Sequence, residues 1–317
     1  MGLFSRRGFL AKTAMLGLIA NTLGSKSTNA SGIKWGNQPT PHVLSPSSSS
    51  TTQKVKMRYL GTAGFIVEGD GHILAIDPFV SRPRLREMPF RLKPKRKLID
   101  EVIPHHVDDV LIGHAHYDHV LDAPYLCHRT GARLIGSPST VNVGRAAGLP
   151  ECQLVSTNGN EVIESGPSLV KGLPSLHGKI LGGRVPLPGN IESPPSWPPK
   201  LRELRHGQVL SWYIEIAGLK IVHIDSADFI DEELAGHSAD VVCLCAIGRQ
   251  YRPNYVETVV EKLQPKYIIP CHWDWLFTPY YAKTKYHPKI DLPGFIKEIS
   301  SLGCTPVVLP FDGEFRI

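Results

Sequence analysis

From Val55 onward the apolar residues fall into short runs, Met57–Leu60, Phe65–Glu68 and Ile73–Ile76, separated by Gly61, Gly64, Gly69 and Gly71. Runs of this length between glycine turns predict β-strands. Val110-Leu111-Ile112, Arg133–Gly136, Gln153–Val155, Glu161–Ile163 and Leu169–Gly172 read the same way. Between them, Asp122–Arg129, with Asp122 as its cap, and a segment from Ser137 or Ser139 predict helices. Val209–Ile216 and Lys220–Ile224 bracket Ala217-Gly218 as a hairpin. Asp240–Ala246 is apolar throughout, as a centrally buried strand would be. Asn254–Leu263 has an amphipathic helical pattern, and Lys266–His272 reads as a strand that ends on its histidine. Helix Leu292–Leu302 and strand Pro306–Leu309 complete the chain. Strands alternating with helices predict an α/β layered fold.

The pattern before Val55 is different. Residues 31–54 carry Pro39, Pro41, Pro46 and the polar run Ser45–Thr52, too few apolar side chains to offset the entropy of ordering. They read as a flexible linker. Residues 1–30 hold Arg6, Arg7, Lys12 and Lys26 with no acidic residue, around a short apolar run from Thr13 to Ala20. That order of charge and apolarity predicts a signal peptide cleaved near Ala30. Arg6-Arg7-Gly8-Phe9-Leu10 resembles the twin-arginine export signal, which implies passage of the folded chain through the Tat translocase to the periplasm. No apolar stretch approaches the roughly 18 to 20 residues of a membrane span, so the mature chain is expected to have no transmembrane segment, and its residues 55–317 to form one domain.

Charge narrows the partners little. The net charge of +6, less the four cations of residues 1–30, leaves +2 for the remainder. One run stands out. Ser81–Lys97 contains Arg82, Arg84, Arg86, Arg91, Lys93, Lys95, Arg96 and Lys97 against a single acid, Glu87, and its prolines forbid a continuous helix. It is either a solvated loop or an anion-attracting rim. A second stiff segment, residues 183–200, holds six prolines and Trp197, and its place is open. The six cysteines form no CxxC pair, so they read as buried free thiols.

The chemistry concentrates in Gly113-His114-Ala115-His116-Tyr117-Asp118-His119, directly after Val110-Leu111-Ile112. A strand ending there would aim His114 and His116 at one point, because strand side chains repeat every two residues. Asp118 and His119 can face a second point a few ångströms on. Imidazole and carboxylate are ligands for borderline divalent metals.

This H-x-H-x-D-H pattern, with the opening strands Leu60–Val67 and Ile73–Phe79, resembles the metallo-β-lactamase superfamily over about Val55 to Ile317. The likeness is greatest to the branch of ascorbate-6-phosphate lactonases and N-acyl-phosphatidylethanolamine phospholipase D. The resemblance implies a four-layer αββα sandwich. It also implies three further ligands: His177 past a strand, Asp225 at the end of the hairpin, and His272. His223, on the same strand face as Asp225, reads as packed or beside the ligands. His114, His116 and His177 would then hold one metal and Asp118, His119 and His272 the other, with Asp225 bridging. Two cations about 3.5–4 Å apart share a water, lower its pKa and polarise a substrate oxygen. Asp118 could also take the proton of that water, as the catalytic carboxylate.

The implied function is metal-dependent hydrolysis of an ester-type bond, a lactone or phosphodiester, with an anionic substrate if the basic run borders the site. The implied cofactors are two divalent ions, zinc first, with manganese or iron as alternatives. Competing readings are an iron-dependent redox enzyme of the same fold and a non-catalytic metal-binding protein. Nucleic acid is not an expected partner. The aromatic cluster Trp273, Trp275, Phe277, Tyr280 and Tyr281 behind His272 is either packing or an apolar binding wall.

Overall fold

In the computed structural model, which describes residues 54–180, 182–287 and 289–317, the short apolar runs become strands of two sheets. The first has the order β14 (Glu314–Arg316), β1 (Val55–Gly61), β2 (Gly64–Gly69), β3 (His72–Ile76), β4 (Asp109–Leu111), β5 (Arg133–Gly136), β6 (Leu154–Ser156). The second has the order β13 (Thr305–Pro306), β12 (Tyr267–Cys271), β11 (Val241–Cys245), β10 (Leu219–Ile224), β9 (Val209–Ile216), β8 (Ser168–Ser175), β7 (Val162–Ser165). The expected signal peptide, and the linker up to Gln53, lie outside the described residues.

Side-chain alternation sorts the strands into layers. Phe65, Val67, Leu74, Ile76, Leu111 and Ile135 point into the core shared with Trp212, Ile214 and Ile216 of the second sheet. Their neighbours Ile66, Ala75, Val110 and Leu134 point the other way. There they meet Ile99 of α1 (Arg96–Val102), Leu126 of α3 (Ala123–Thr130) and Val143 of α4 (Pro138–Ala146). The intervening short α2 (Tyr117–Val120) carries part of the histidine motif. Between α4 and the C-terminus lie α5 (Asp231–Leu234), α6 (Tyr255–Leu263) and α7 (Leu292–Ser301). Val256, Val259, Phe295 and Ile299 of α6 and α7 pack with the second sheet. The result is the four-layer αββα sandwich. Each buried Ile, Val or Phe contributes about 1.5–3 kcal/mol, and a one-residue slip of any strand would exchange its buried faces, so the register is firmly held.

Strand direction places the site. β3, β4, β5 and β6 run parallel, as do β10, β11 and β12. The carboxyl ends of each parallel group therefore share an edge, where open α/β sheets hold their ligands. Asp77, the Gly113–His119 motif, Asp225 and His272 all follow such ends.

Several local expectations need correction. Asp122 precedes α3, but its side chain makes no cap bond; Oδ2 instead accepts from Val80 N (2.8 Å) and Ser81 N (2.7 Å). The last strand is shorter than Pro306–Leu309, and β14 pairs with β1 where no strand was expected. Five cysteines are buried and free, whereas Cys152, also free, is exposed. Arg82 does not belong to any charged rim, because it is fully buried. Among the described residues, no helix is long and apolar enough to cross a membrane.

Candidate metal centre

The histidine motif is built on a turn fastened from both sheets. Gly113 N donates to Asp77 Oδ1 (2.8 Å), and Gly113 O accepts from Leu210 N (2.8 Å) at the start of β9. Ala115 N donates to His206 O (2.8 Å). His116 is still extended (φ −67°, ψ 156°) and directly precedes α2, which carries Asp118 and His119. The change from strand to helical period therefore falls inside the motif and gives it two faces.

Seven side chains expected from the sequence converge here. Ligand atoms of His114, His116 and His177 lie within 4.8 Å of one another, as do those of His114, His119 and Asp225, and those of Asp118, His119 and His272. The three sets overlap at His114 and His119. His177 is half-buried and the other six are buried.

The hydrogen bonds show what the first set lacks. His114 Nδ1 faces Asp225 Oδ2 (2.6 Å) and carries its proton there, leaving Nε2 bare. His177 Nδ1 likewise donates to Gly178 O (2.8 Å), leaving its Nε2 bare. Both bare nitrogens point at His116 Nδ1, at 3.0 Å and 3.2 Å. That nitrogen can carry one proton and satisfy one of them. Burial pushes His114 and His116 well below the usual imidazole range, with neighbouring imidazoles adding to the effect, and burial brings His177 down to about 4. Near neutral pH all three are uncharged, so their lone pairs meet without enough protons between them. Asp225 Oδ1 is buried with no hydrogen-bond partner. Buried acceptors left in this state are costly unless a cation takes them. The donor set fits a divalent ion.

At the second set, His119 Nδ1 donates to Asp77 Oδ2 (2.9 Å) and lies 3.5 Å from Asp225 Oδ2. His119 Nε2 is 3.9 Å, and His272 Nε2 3.3 Å, from Asp118 Oδ2. Burial would raise the Asp118 pKa, but His119 and His272 outweigh it and hold the group below the carboxylate range. Burial would lower His119, but Asp77 and Asp118 push it up to about 9. Without a cation, His119 keeps a second proton at neutral pH.

A stability prediction follows for chelated, metal-free protein. The His119 pKa is raised on folding, so its contribution is fully present below about pH 6.5 and is lost as pH rises through about 9. The slope is at most about 1.4 kcal/mol per pH unit. Urea unfolding of metal-free protein between pH 6.5 and 9.5 measures this; a flat profile would discard the coupling.

Two residues at the site had no assigned role in the sequence. Asp77 orients His119 and braces Gly113, the second contact that a ligating histidine ordinarily has. Its one sequence signal is an Asp-Pro pair closing a buried strand. His206 lies beside His116 and His177, with ring centroids 5.8 Å and 5.6 Å away. Nothing in its Arg205-His206-Gly207 context distinguishes it. By contrast, His223 stays in the core, edge-on to Phe65, with Nε2 donating to Ala63 O (2.8 Å).

The segments around the site divide. Leu187 O and Gly189 O of the Pro-rich stretch accept from His206 N (3.2 Å) and Gly207 N (3.0 Å). That stretch therefore braces the His206 turn. In the basic loop, Leu85, Met88 and Leu92 cluster with Phe79, Leu121, Phe277 and Tyr117, which separates His116 from Asp118. Arg84, Arg86, Arg91, Lys93, Lys95, Arg96 and Lys97 remain exposed. Of the aromatic cluster, Trp273 and Tyr280 are buried packing, Trp275 and Phe277 are half-buried, and Tyr281 is exposed.

Comparison with known proteins agrees with this architecture. Residues 56–272 match the beta-lactamase superfamily domain. A UPF0173 metal-dependent hydrolase of Methanopyrus kandleri is 33% identical over 272 residues, 82% of this chain and 98% of the relative. Another, from Pyrobaculum arsenaticum, is 26% identical over 224 residues, 69% of this chain and 84% of the relative. Igni18, a metallo hydrolase of Ignicoccus hospitalis, has a similar fold, with a TM-score of 0.57 and 20% identity, covering 83% of this chain and 98% of its own. So does CmlA, a diiron β-hydroxylase of Streptomyces venezuelae, with a TM-score of 0.54 and 18% identity, covering 84% of this chain and 55% of its own.

Proposed function

The chain belongs to the beta-lactamase superfamily, among the UPF0173 metal-dependent hydrolases, and from that premise we propose that it hydrolyses an ester-type bond, a lactone or phosphodiester, with two divalent ions. The observation that carries this reading is the overlap of three ligand sets at His114 and His119. On this reading, His114, His116 and His177 would hold one ion and Asp118, His119 and His272 the other, with Asp225, which lies with His114 and His119, available to both. Zinc is the first choice; manganese and iron suit the same imidazole and carboxylate donors. Ions bound there would lower the pKa of a shared water and polarise the substrate oxygen.

The chain's own groups do the rest. Asp118 has the more accessible carboxylate, with 12% of its side chain exposed against 1% for Asp225. Its Oδ2 lies 3.9 Å from His119 Nε2 and 3.3 Å from His272 Nε2, and it is the acceptor for the proton of a water at the site. Asp77 keeps His119 turned so that Nε2 faces the site. The basic loop, anchored on Tyr117, raises the local concentration of anionic substrates.

Metal analysis of the purified protein, paired with a screen of phosphodiesters and lactones, tests the reading. Turnover should disappear on chelation and return with the metal found. Anionic esters should lose kcat/KM as salt rises while neutral ones do not. A metal-loaded protein that turned over no ester would sink the substrate class. The diiron β-hydroxylase of similar fold supplies the alternative, which iron with substrate-dependent oxygen uptake would favour.

Export is part of the same proposal. Replacing Arg6 and Arg7 with Lys should leave folded precursor in the cytoplasm, read by fractionation. Undiminished periplasmic delivery would rule out the twin-arginine route.

A further inference from the structure

A buried ion pair lies directly behind His272. Arg82 and Asp274 are both fully buried, and Arg82 NH2 donates to Asp274 Oδ2. The other carboxylate oxygen, Asp274 Oδ1, accepts from Thr62 N (2.7 Å) and lies 2.6 Å from Tyr59 OH. Thr62 O in turn accepts from His272 N. The remaining guanidinium bonds go to Trp275 O (NH2, 2.9 Å) and Thr278 O (Nε, 2.7 Å), in the chain just after His272. One ion pair thus clasps the β1–β2 turn to the segment that leaves β12.

The backbone at both ends of this clasp is unusual. His272 has φ +54° and Thr62 φ +52°, a left-handed region that non-glycine residues rarely occupy without support from their surroundings. The support here is the chain Arg82–Asp274–Thr62–His272. It is an expensive device if stability were its purpose. Two desolvated charges seldom improve on well-packed apolar side chains, and Arg82 NH1 is buried with no hydrogen-bond partner. Even the turn is shaped around it: a Cβ at Gly61 would stand 2.6 Å from that NH1. What the pair secures is geometry.

We infer that Arg82 and Asp274 are positioning residues for the second cation, holding the His272 imidazole where it and Asp118 share one ion. The inference rests on the metal centre proposed above. The pair touches neither His114 nor His177, so its effect is confined to the set of Asp118, His119 and His272.

Zinc titration of metal-free protein against a chromophoric chelator, followed by metal counting, tests it. Arg82→Met with Asp274→Leu removes the pair without stranding a charge. Arg82→Lys, which keeps the charge beside Asp274 but loses the planar fork that also reaches Trp275 O and Thr278 O, is the milder variant should that one fail to fold. In either, one cation should bind roughly 10- to 100-fold more weakly, the range for outer partners of metal ligands, and the other as before. In a His272→Ala background the same changes should have no further effect. Arg133→Met with Asp109→Leu removes a pair of a partly exposed arginine and a buried aspartate at the start of β4, the end away from the histidine motif. It should lower Tm and leave both affinities unchanged. Two cations bound as tightly as in the parent, equal weakening of both, or an effect that persists without His272 would overturn the assignment. If His272→Ala itself weakened no cation, the metal centre and not the clasp would be at fault.

Discussion

Replacing Asp225 with alanine is expected to abolish turnover and to reduce the metal content, while the chain stays folded. Its Oδ2 lies against both His114 and His119, the two residues at which the ligand sets overlap. Removing it should therefore weaken both ions, not one. Losing several kcal/mol of transition-state stabilisation at a metal site corresponds to roughly 10³-fold or more in kcat/KM. His116→Ala should give a loss of similar size, but with the deficit centred on the ion shared with His114 and His177. The fold should tolerate both, because neither side chain contributes to the apolar cores. Circular dichroism and metal counting separate these effects. Near-normal turnover with two metals per chain, in either variant, would show that the assignment is wrong.

Gly113→Ala is expected to reproduce the Asp225 defect without touching any ligand. A Cβ built at Gly113 would stand 2.1 Å from Asp225 Oδ2 and 2.5 Å from its Cγ, far inside van der Waals contact. The backbone of Gly113 is not in the left-handed region, so alanine brings no conformational penalty there. The turn itself is held by Asp77 and Leu210, which leaves the Asp225 carboxylate as the group that yields. Activity should fall by about 10²–10³-fold, the range for one misplaced catalytic contact. Gly131→Ala serves as contrast. That residue sits at φ +78° with open space around it, so it should cost stability and leave the metals alone. Full activity in Gly113→Ala would show that Asp225 can move without consequence.

The parts legible beforehand share a physical character. β1, β2 and β3 follow from period-two alternation and glycine turns within a dozen residues. His114, His116, Asp118 and His119 are legible because the change from strand to helix is local and directs neighbouring side chains by their spacing. His177, Asp225 and His272 could be proposed only through family resemblance, since no local rule links them to the motif. β14 is three residues long, too short for a pattern, and exists because β1 offers it a partner across the sheet.

The sequence by itself determined an α/β layered fold and, for His114, His116, Asp118 and His119, the kind of ligand and the strand end from which it arises, because these depend on side-chain period and chemistry. The αββα order and the other three ligands came through the family resemblance. Tertiary structure decided how those ligands are held. His119 finds Asp77 across 42 residues, His114 finds Asp225 across 111, and Arg82 finds Asp274 across 192. The same arginine that reads as one cation among eight in a loop becomes a buried clasp once Asp274 reaches it. No spacing rule spans such distances. Each partner is chosen by the packing of the two sheets, whose parallel strand ends bring remote residues to one edge, and buried polar groups pair with whatever is brought there.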